Sequence, residues 1–311
     1  MINLSDYKEE LKFAKNVVKK ATEITEWFKG DIINSFNKKD DSPVTLADLA
    51  SQAYILSEIK NQYPEDLITA EEDSRFINNK AEALIRKCYS DLGLNVNDNL
   101  EKIINYKGKE PERQWIVDPI DGTLGYIKNE SYAVAVGLMI DSEPHLSAIA
   151  LPHFKEYKLA VFIAQKNKGA KVSYENNSFK PINVSNTQNI EDCTLIRSVH
   201  HDLEWTEKLG ALVGVKEQIQ MDGMGKFCLV AEGSVDMYIR PLECNEKHIW
   251  DCCPGDLLVR EASGKVTDYN GNNLQYQEKI CELTTSGYLA SNGIIHEKVL
   301  KEINEYFSKN N

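Results

Sequence analysis

Two carboxylates three residues apart, Asp118 and Asp121, close the segment Trp115-Ile116-Val117-Asp118-Pro119-Ile120-Asp121-Gly122-Thr123. The apolar run Trp115 to Val117 reads as a buried strand, which delivers the acids at its end. Pro119 fixes the backbone between them and Gly122 permits close backbone approach. Both carboxylates can then point into one cavity. Two acids this close do not stay ionised away from water unless a cation lies between them. An all-oxygen donor set suits a hard ion, Mg²⁺ or a relative. The same residues would also serve an ordinary acidic strand-to-helix turn.

Further acids follow strands or open helices: Asp48, Glu71 and Asp251. Thr45-Leu-Ala-Asp48 fits a capping box, a purely structural use of Asp48. Glu71-Glu72-Asp73 comes straight after a short apolar run, and three acids there must be solvated or metal-bound. With Asp118 and Asp121 these form the kind of set that two-metal phosphate chemistry needs, one ion to activate water and another to stabilise the leaving oxygen.

The elements that must position these acids are legible from periodicity. Ser5 can cap a helix whose apolar face runs from Leu11 to Phe28, with Gly30 ending it. Asn37 to Ser42 reads as a loop, Thr45 to Gln62 as a second helix, and Leu67 to Ala70 as a strand. Residues 78 to 110 read as helices and a surface connection, and Leu124 to Lys128 as a short helix. Runs Ala133–Ile140, Leu146–Leu151 and Leu159–Ala164 predict an antiparallel meander, with another hairpin at Asn167-Lys-Gly169. A polar stretch around 175–189 places a boundary between a helix-plus-antiparallel-sheet half, 1–178, and an α/β half, 179–311. In the second half, strands are predicted over Thr194–Val199, Val235–Arg240, Lys265–Asp268 and Tyr288–Ala290. Helices are predicted over Leu203–Leu212, Lys226–Glu232, Trp250–Ala262 and Ile295–Phe307. The expectation is a layered α/β fold.

The chain has 311 residues and a formal net charge of −12. An acidic surface gains nothing from a nucleic-acid backbone, so no polymeric nucleic acid is expected as partner. Seven cysteines without metal or disulfide spacing point to free thiols in a reducing compartment. The adjacent Cys252 and Cys253 read as helix packing. The first residues are polar and the longest apolar run, Tyr132 to Ile140, is far too short for a membrane span. A soluble cytoplasmic protein is expected.

Asp118-Pro-Ile-Asp-Gly-Thr123 resembles the signature of the lithium-sensitive, magnesium-dependent phosphomonoesterases, the inositol monophosphatase-like superfamily. Three more motifs are similar in the same order: Ser42-Pro-Val-Thr-Leu-Ala-Asp48, Ala70-Glu-Glu-Asp-Ser74 with alanine for the family's glycine, and Ile249-Trp250-Asp251 followed by Gly255. The resemblance covers about residues 40 to 295. It implies an alternating α-β-α-β-α sandwich with the site between the halves, and a monomer. It implies that Glu71, Asp118, Asp121, the Ile120 carbonyl and Asp251 bind two or three Mg²⁺ ions. It implies further that Asp48 and Thr123 orient and deprotonate the attacking water, with Glu72 assisting behind them. The Gly122 and Thr123 amides would hold phosphate oxygens. Inhibition by Li⁺ and by excess Ca²⁺ is expected.

Within that superfamily, Met221-Asp-Gly-Met-Gly225-Lys226 and Asp236-Met-Tyr-Ile-Arg240 look most like the 3′(2′),5′-bisphosphate nucleotidases. Gly225, Lys226 and Arg240 would meet the phosphate that is not cleaved; surface ion pairing is the plainer use of the two cations. Ser198 and His200 fall where that group has a Ser-His segment on the nucleotide, and either His200 or His201 could face the ligand. His145, His153, His248 and His296 read as structural. The implied reaction is hydrolysis of adenosine 3′(2′),5′-bisphosphate to AMP, and of its phosphosulfate. Inositol 1,4-bisphosphate is the alternative substrate.

Overall fold

The computed structural model describes residues 7–29, 35–38, 43–175, 177–242, 248–276 and 283–310. Ser5, Gly30 and Ser42 lie outside them. The first half begins with α1 (Lys8–Lys29), followed by the short strands β1 (Ser35–Asn37) and β2 (Pro43–Thr45), which pair antiparallel. Next come α2 (Leu46–Gln62), β3 (Asp66–Ala70), α3 (Asn79–Asp91), α4 (Leu100–Ile104), β4 (Glu110–Asp121) and α5 (Thr123–Ile127). Strands β5 (Ala133–Ile140), β6 (Glu143–Phe154), β7 (Tyr157–Gln165), β8 (Gly169–Tyr174) and β9 (Lys180–Ile182) complete a sheet in the order β3-β4-β5-β6-β7-β8-β9. Only the β3–β4 pairing in it is parallel. The predicted meander is therefore the middle of a longer one. Its last strand, β9, lies beyond the expected boundary at 178/179.

The second half carries β10 (Thr194–Arg197), α6 (Glu204–Val213), β11 (Glu217–Gln220), α7 (Gly225–Ala231), β12 (Met237–Pro241), α8 (Cys253–Glu261), β13 (Lys265–Asp268), β14 (Gly287–Ser291) and α9 (His296–Asn310). Its sheet runs β11-β10-β12-β14-β13. The predicted helix at Trp250 instead starts at Cys253, after a 3₁₀ turn over Ile249–Asp251. Pro254 suits a first helical turn, where its missing N–H costs nothing.

The layers are α-β-α-β-α, as expected. The first core joins α1 and α2 to one face of the long sheet; the second packs that sheet's other face, α7, α8 and the second sheet together; the third lies under α9. Strand β4 is buried on both faces. Trp115 and Val117 enter the first core and Ile116 the second, which explains an apolar run with no polar alternation. Among the described residues, no helix is long and apolar enough to cross a membrane.

Candidate active site

The acids of β4 share a face because the strand is irregular. In a regular strand, residues three apart point to opposite faces. Pairing with β5 shifts between Asp118↔Ala135 and Asp121↔Ala133, so three steps on β4 match two on its partner. This one-residue bulge flips the alternation. Ile120 accordingly turns into the first core while Asp121 joins Asp118 on the cavity side. Gly122 follows at φ 94°, and a Cβ there would stand 3.2 Å from the Gly223 backbone nitrogen. The end of β4 thus abuts the 221–224 segment of the other half, backbone to backbone.

Asp118, Asp121 and Asp251 each offer an oxygen such that all three lie within 4.8 Å of one another. Asp118 is 1% exposed, and among the described residues neither of its carboxylate oxygens has a hydrogen-bond partner. Burial, then the charges of Glu71, Asp121 and Asp251, drive its carboxyl well above the usual range. Asp251, on the 3₁₀ turn rather than the helix, is raised by burial and by Asp121 and Glu71. Asp121 is pushed up to about 6 by burial, against the pull of Lys226. A buried carboxyl converging on two others is an all-oxygen donor set that fits a hard divalent cation such as Mg²⁺.

Asp48 is fully buried at the third position of α2. Its Oδ2 accepts from the Thr45 N–H at 2.8 Å and the Thr45 hydroxyl at 2.6 Å. Its Oδ1 stands 3.2 Å from the Thr123 hydroxyl, which is also 3.2 Å from the Ile120 carbonyl. The capping box and the site are therefore one device: capping spends one oxygen and leaves the other aimed at Thr123. Burial raises Asp48 to about 7, while the Thr45 hydrogen bonds work against that rise. The α2 helix also secures the neighbouring strand ends. Ser51 donates to the Pro119 carbonyl at 3.1 Å, and the Gln52 amide takes both the N–H and the C=O of Glu72.

Glu71 lines the cavity and Glu72 lies behind it, buried. The Lys38 ammonium bridges them, 2.6 Å from Glu71 Oε1 and 2.7 Å from Glu72 Oε1. Burial opposes the charge on Lys38, but the two carboxylates together raise it above an ordinary lysine. Glu72 is raised by burial and by Glu71. Nothing in the polar run around Lys38 marks it in the sequence.

The cavity, about 550 Å³, opens between the halves. Its walls include Glu71, Asp118, Ile120, Asp121, Gly122, Thr123, Ser198, Lys226, Arg240 and Asp251, all expected there. Lys226 is buried, with Nζ donating to the Gly223 carbonyl at 2.7 Å and the Met221 carbonyl at 3.2 Å. Burial lowers it to about 8, with Asp121 opposing and Arg240 adding to the fall. Arg240 Nη1 donates to the His201 carbonyl at 2.5 Å.

Two expected contacts lie elsewhere. Gly225 does not line the cavity: it is buried against Met221, whose sulfur would stand 2.4 Å from an added Cβ. His201, not His200, faces the cavity; His200 turns toward Glu130 and Asp222. His248, expected to be structural, lines the cavity, stacked on Trp250 with ring centroids 4.5 Å apart. Arg75, Tyr238 and Tyr288 also reach the wall. No single-residue signal distinguishes them, since only the folded chain brings them there.

A model of the inositol monophosphatase family matches residues 6–308. The chain is similar to the 3′(2′),5′-bisphosphate nucleotidase of Dictyostelium discoideum, 30% identical over 295 residues, which cover 87% of this chain and 88% of that protein. It is similar to the probable 3′(2′),5′-bisphosphate nucleotidase 4 of Arabidopsis thaliana, 30% identical with 96% and 95% covered. In fold it is similar to an inositol monophosphatase of Thermotoga maritima, with TM-score 0.72 at 20% identity, covering 97% of this chain and 99% of that one. The inositol monophosphatase of Anabaena gives a TM-score of 0.66 at 22% identity, with 97% of each chain covered.

Proposed function

The chain belongs to the inositol monophosphatase family, and from that premise we propose that it is a Mg²⁺-dependent 3′(2′),5′-bisphosphate nucleotidase. On this reading it removes the 3′- or 2′-phosphate of adenosine 3′(2′),5′-bisphosphate to leave AMP, and it accepts the corresponding phosphosulfate. The observation that carries this reading is one cavity with two opposite electrostatic faces. The carboxylates of Asp118, Asp121 and Asp251 form one, and Lys226 with Arg240 the other. A substrate with two phosphates suits both. Lys226 spends two of its three N–H groups on carbonyls, which leaves one for an anion, and Arg240 adds a guanidinium beside it. The names of the similar nucleotidases point the same way.

Mg²⁺ held by Glu71, Asp118, Asp121, Asp251 and the Ile120 carbonyl would supply a nucleophilic water and neutralise charge on the transferred phosphoryl group. The protein's own share is proton handling and positioning. Asp48 Oδ1 can take the Thr123 hydroxyl proton while Thr123 Oγ1 takes one from water. Asp48 raised to about 7 matches such a base to neutral pH. Glu72, clamped by Gln52 and Lys38, holds Glu71 in place. The Gly122 and Thr123 amides open α5 toward the phosphate.

The test is phosphate release from adenosine 3′,5′-bisphosphate and from inositol 1,4-bisphosphate in parallel, with Mg²⁺, then with EDTA or Li⁺ added. Release chiefly from the nucleotide, abolished by EDTA and inhibited by Li⁺, is expected. Release chiefly from the inositide would overturn the substrate and keep the metal site. Release unaffected by EDTA would overturn the metal site.

A further inference from the structure

A second group of ligand-type side chains stands at the edge of the cavity, where the turn after α5 meets the 198–222 region of the other half; of the three, Asp222 also lines the cavity, and Glu130 and His200 do not. We propose that Glu130, His200 and Asp222 bind one borderline divalent cation, zinc by ligand chemistry, and that this ion ties the two halves together beside the substrate cavity. The three side chains offer ligand atoms that all lie within 4.8 Å of one another. His200 Nε2 is 3.0 Å from Glu130 Oε2 and 3.2 Å from Asp222 Oδ2. Zinc bonds of about 2.0–2.1 Å in a tetrahedron separate neighbouring ligand atoms by roughly 3.4 Å, so these contacts need open by only a few tenths of an ångström.

Direct hydrogen bonding does not satisfy the group. The His200 ring nitrogen is hydrogen-bonded to Glu130, and among the described residues Asp222, 2% exposed, keeps an Oδ2 with no hydrogen-bond partner. The rest of Asp222 is held from both halves. Its Oδ1 accepts from the Val199 N–H at 3.2 Å, its N–H donates to Ser131 Oγ at 3.0 Å, and its carbonyl accepts from that hydroxyl at 3.3 Å. A ligand carboxylate fixed by outer hydrogen bonds is the usual support of a metal site. Glu130 is exposed on the solvent side, which leaves room for water as a fourth ligand. Lys128 is the nearby cation, with Nζ 3.5 Å from both ring nitrogens; it is exposed and can swing into solvent. An imidazole with two carboxylates favours zinc or cobalt over Mg²⁺, so excess Mg²⁺ at the all-oxygen cluster should not compete here. The site does not depend on the substrate proposed above.

The experiment is Co²⁺ titration of the EDTA-treated full chain in excess Mg²⁺, followed by visible absorption and calorimetry. We expect one Co²⁺ bound per chain with nitrogen and oxygen ligands, displaced by Zn²⁺. His200→Asn and the exposed Glu130→Gln should each weaken it by at least about tenfold. Asp118→Asn should leave it intact. The proposal is overturned if no Co²⁺ binds in excess Mg²⁺, if both His200→Asn and Glu130→Gln bind as the unaltered chain does, or if binding is lost in Asp118→Asn.

Discussion

Asp118 has a carboxyl with no hydrogen-bond donor to either oxygen among the described residues, held beside other acids in a buried place. Such a group costs stability in the metal-free protein and yields a return only when a cation arrives. Asp118→Asn separates the two effects. Turnover should fall by about 10³-fold, because several kcal/mol of charge stabilisation are lost. Metal-free stability should rise by about 1–3 kcal/mol, because the cost of protonating or burying an acid beside other acids is removed. Phosphate release and the denaturant midpoint in EDTA measure these. A fully active variant would sink the metal assignment; an active-site defect with a lowered midpoint would mean the residue is mainly structural.

Among the elements, the end of β4 decides the site. The bulge brings Asp118 and Asp121 to one face, and the positive φ at Gly122 starts α5 so that Thr123 turns back to Asp48. Gly122→Ala would strain that backbone and press a Cβ toward Gly223 and the Ser131 carbonyl. A cost of about 1–3 kcal/mol is expected. Activity should drop more than that loss of folding explains, since Thr123 moves with the turn. Chemical denaturation together with kinetics at full folding tests this; a stable, fully active variant would show that the turn is not needed for positioning.

At the scale of the whole molecule, the acids of both halves meet across the cavity, so their titration couples to folding. Asp48 is raised to about 7 and Asp121 to about 6, against an ordinary aspartate value of 3.8. Between these values the native chain holds protons that the unfolded chain has released. The contribution of these two acids to metal-free stability is therefore greatest at the acid end of this window and is lost as pH rises from about 4 to about 7. His296, lowered to about 4 by burial between Ser291 and Thr267, acts in the opposite sense: its share is lost as pH falls below the ordinary histidine value. Comparing thermal stability across pH in EDTA and in saturating Mg²⁺ isolates the acids, because the cation binds their deprotonated forms. The Mg²⁺ increment should grow with pH over this window; a flat increment would mean that the cluster is not the binding site.

By itself the sequence determined the elements that periodicity and capping mark. Helices α1, α2 and α9, the central meander and the Thr45 cap sit within a few residues of where local spacing puts them, because one buried face or one side-chain cap specifies each. It also marked the acids as candidates, since a carboxylate after a strand or at a helix start is a local property; that Asp118, Asp121 and Asp251 converge is a tertiary fact. Strands β9 and β11 were not legible. Both are short and largely polar, and they exist because a sheet edge offers them partners. Only tertiary structure decided that the 118–121 spacing is a bulge, that Asp48 serves both a helix cap and Thr123, and that Lys38 sits between Glu71 and Glu72. The same holds for His201 taking the cavity wall while His200 turns to Glu130 and Asp222. Each of these depends on what a distant segment places within a few ångströms, and no local pattern encodes that distance.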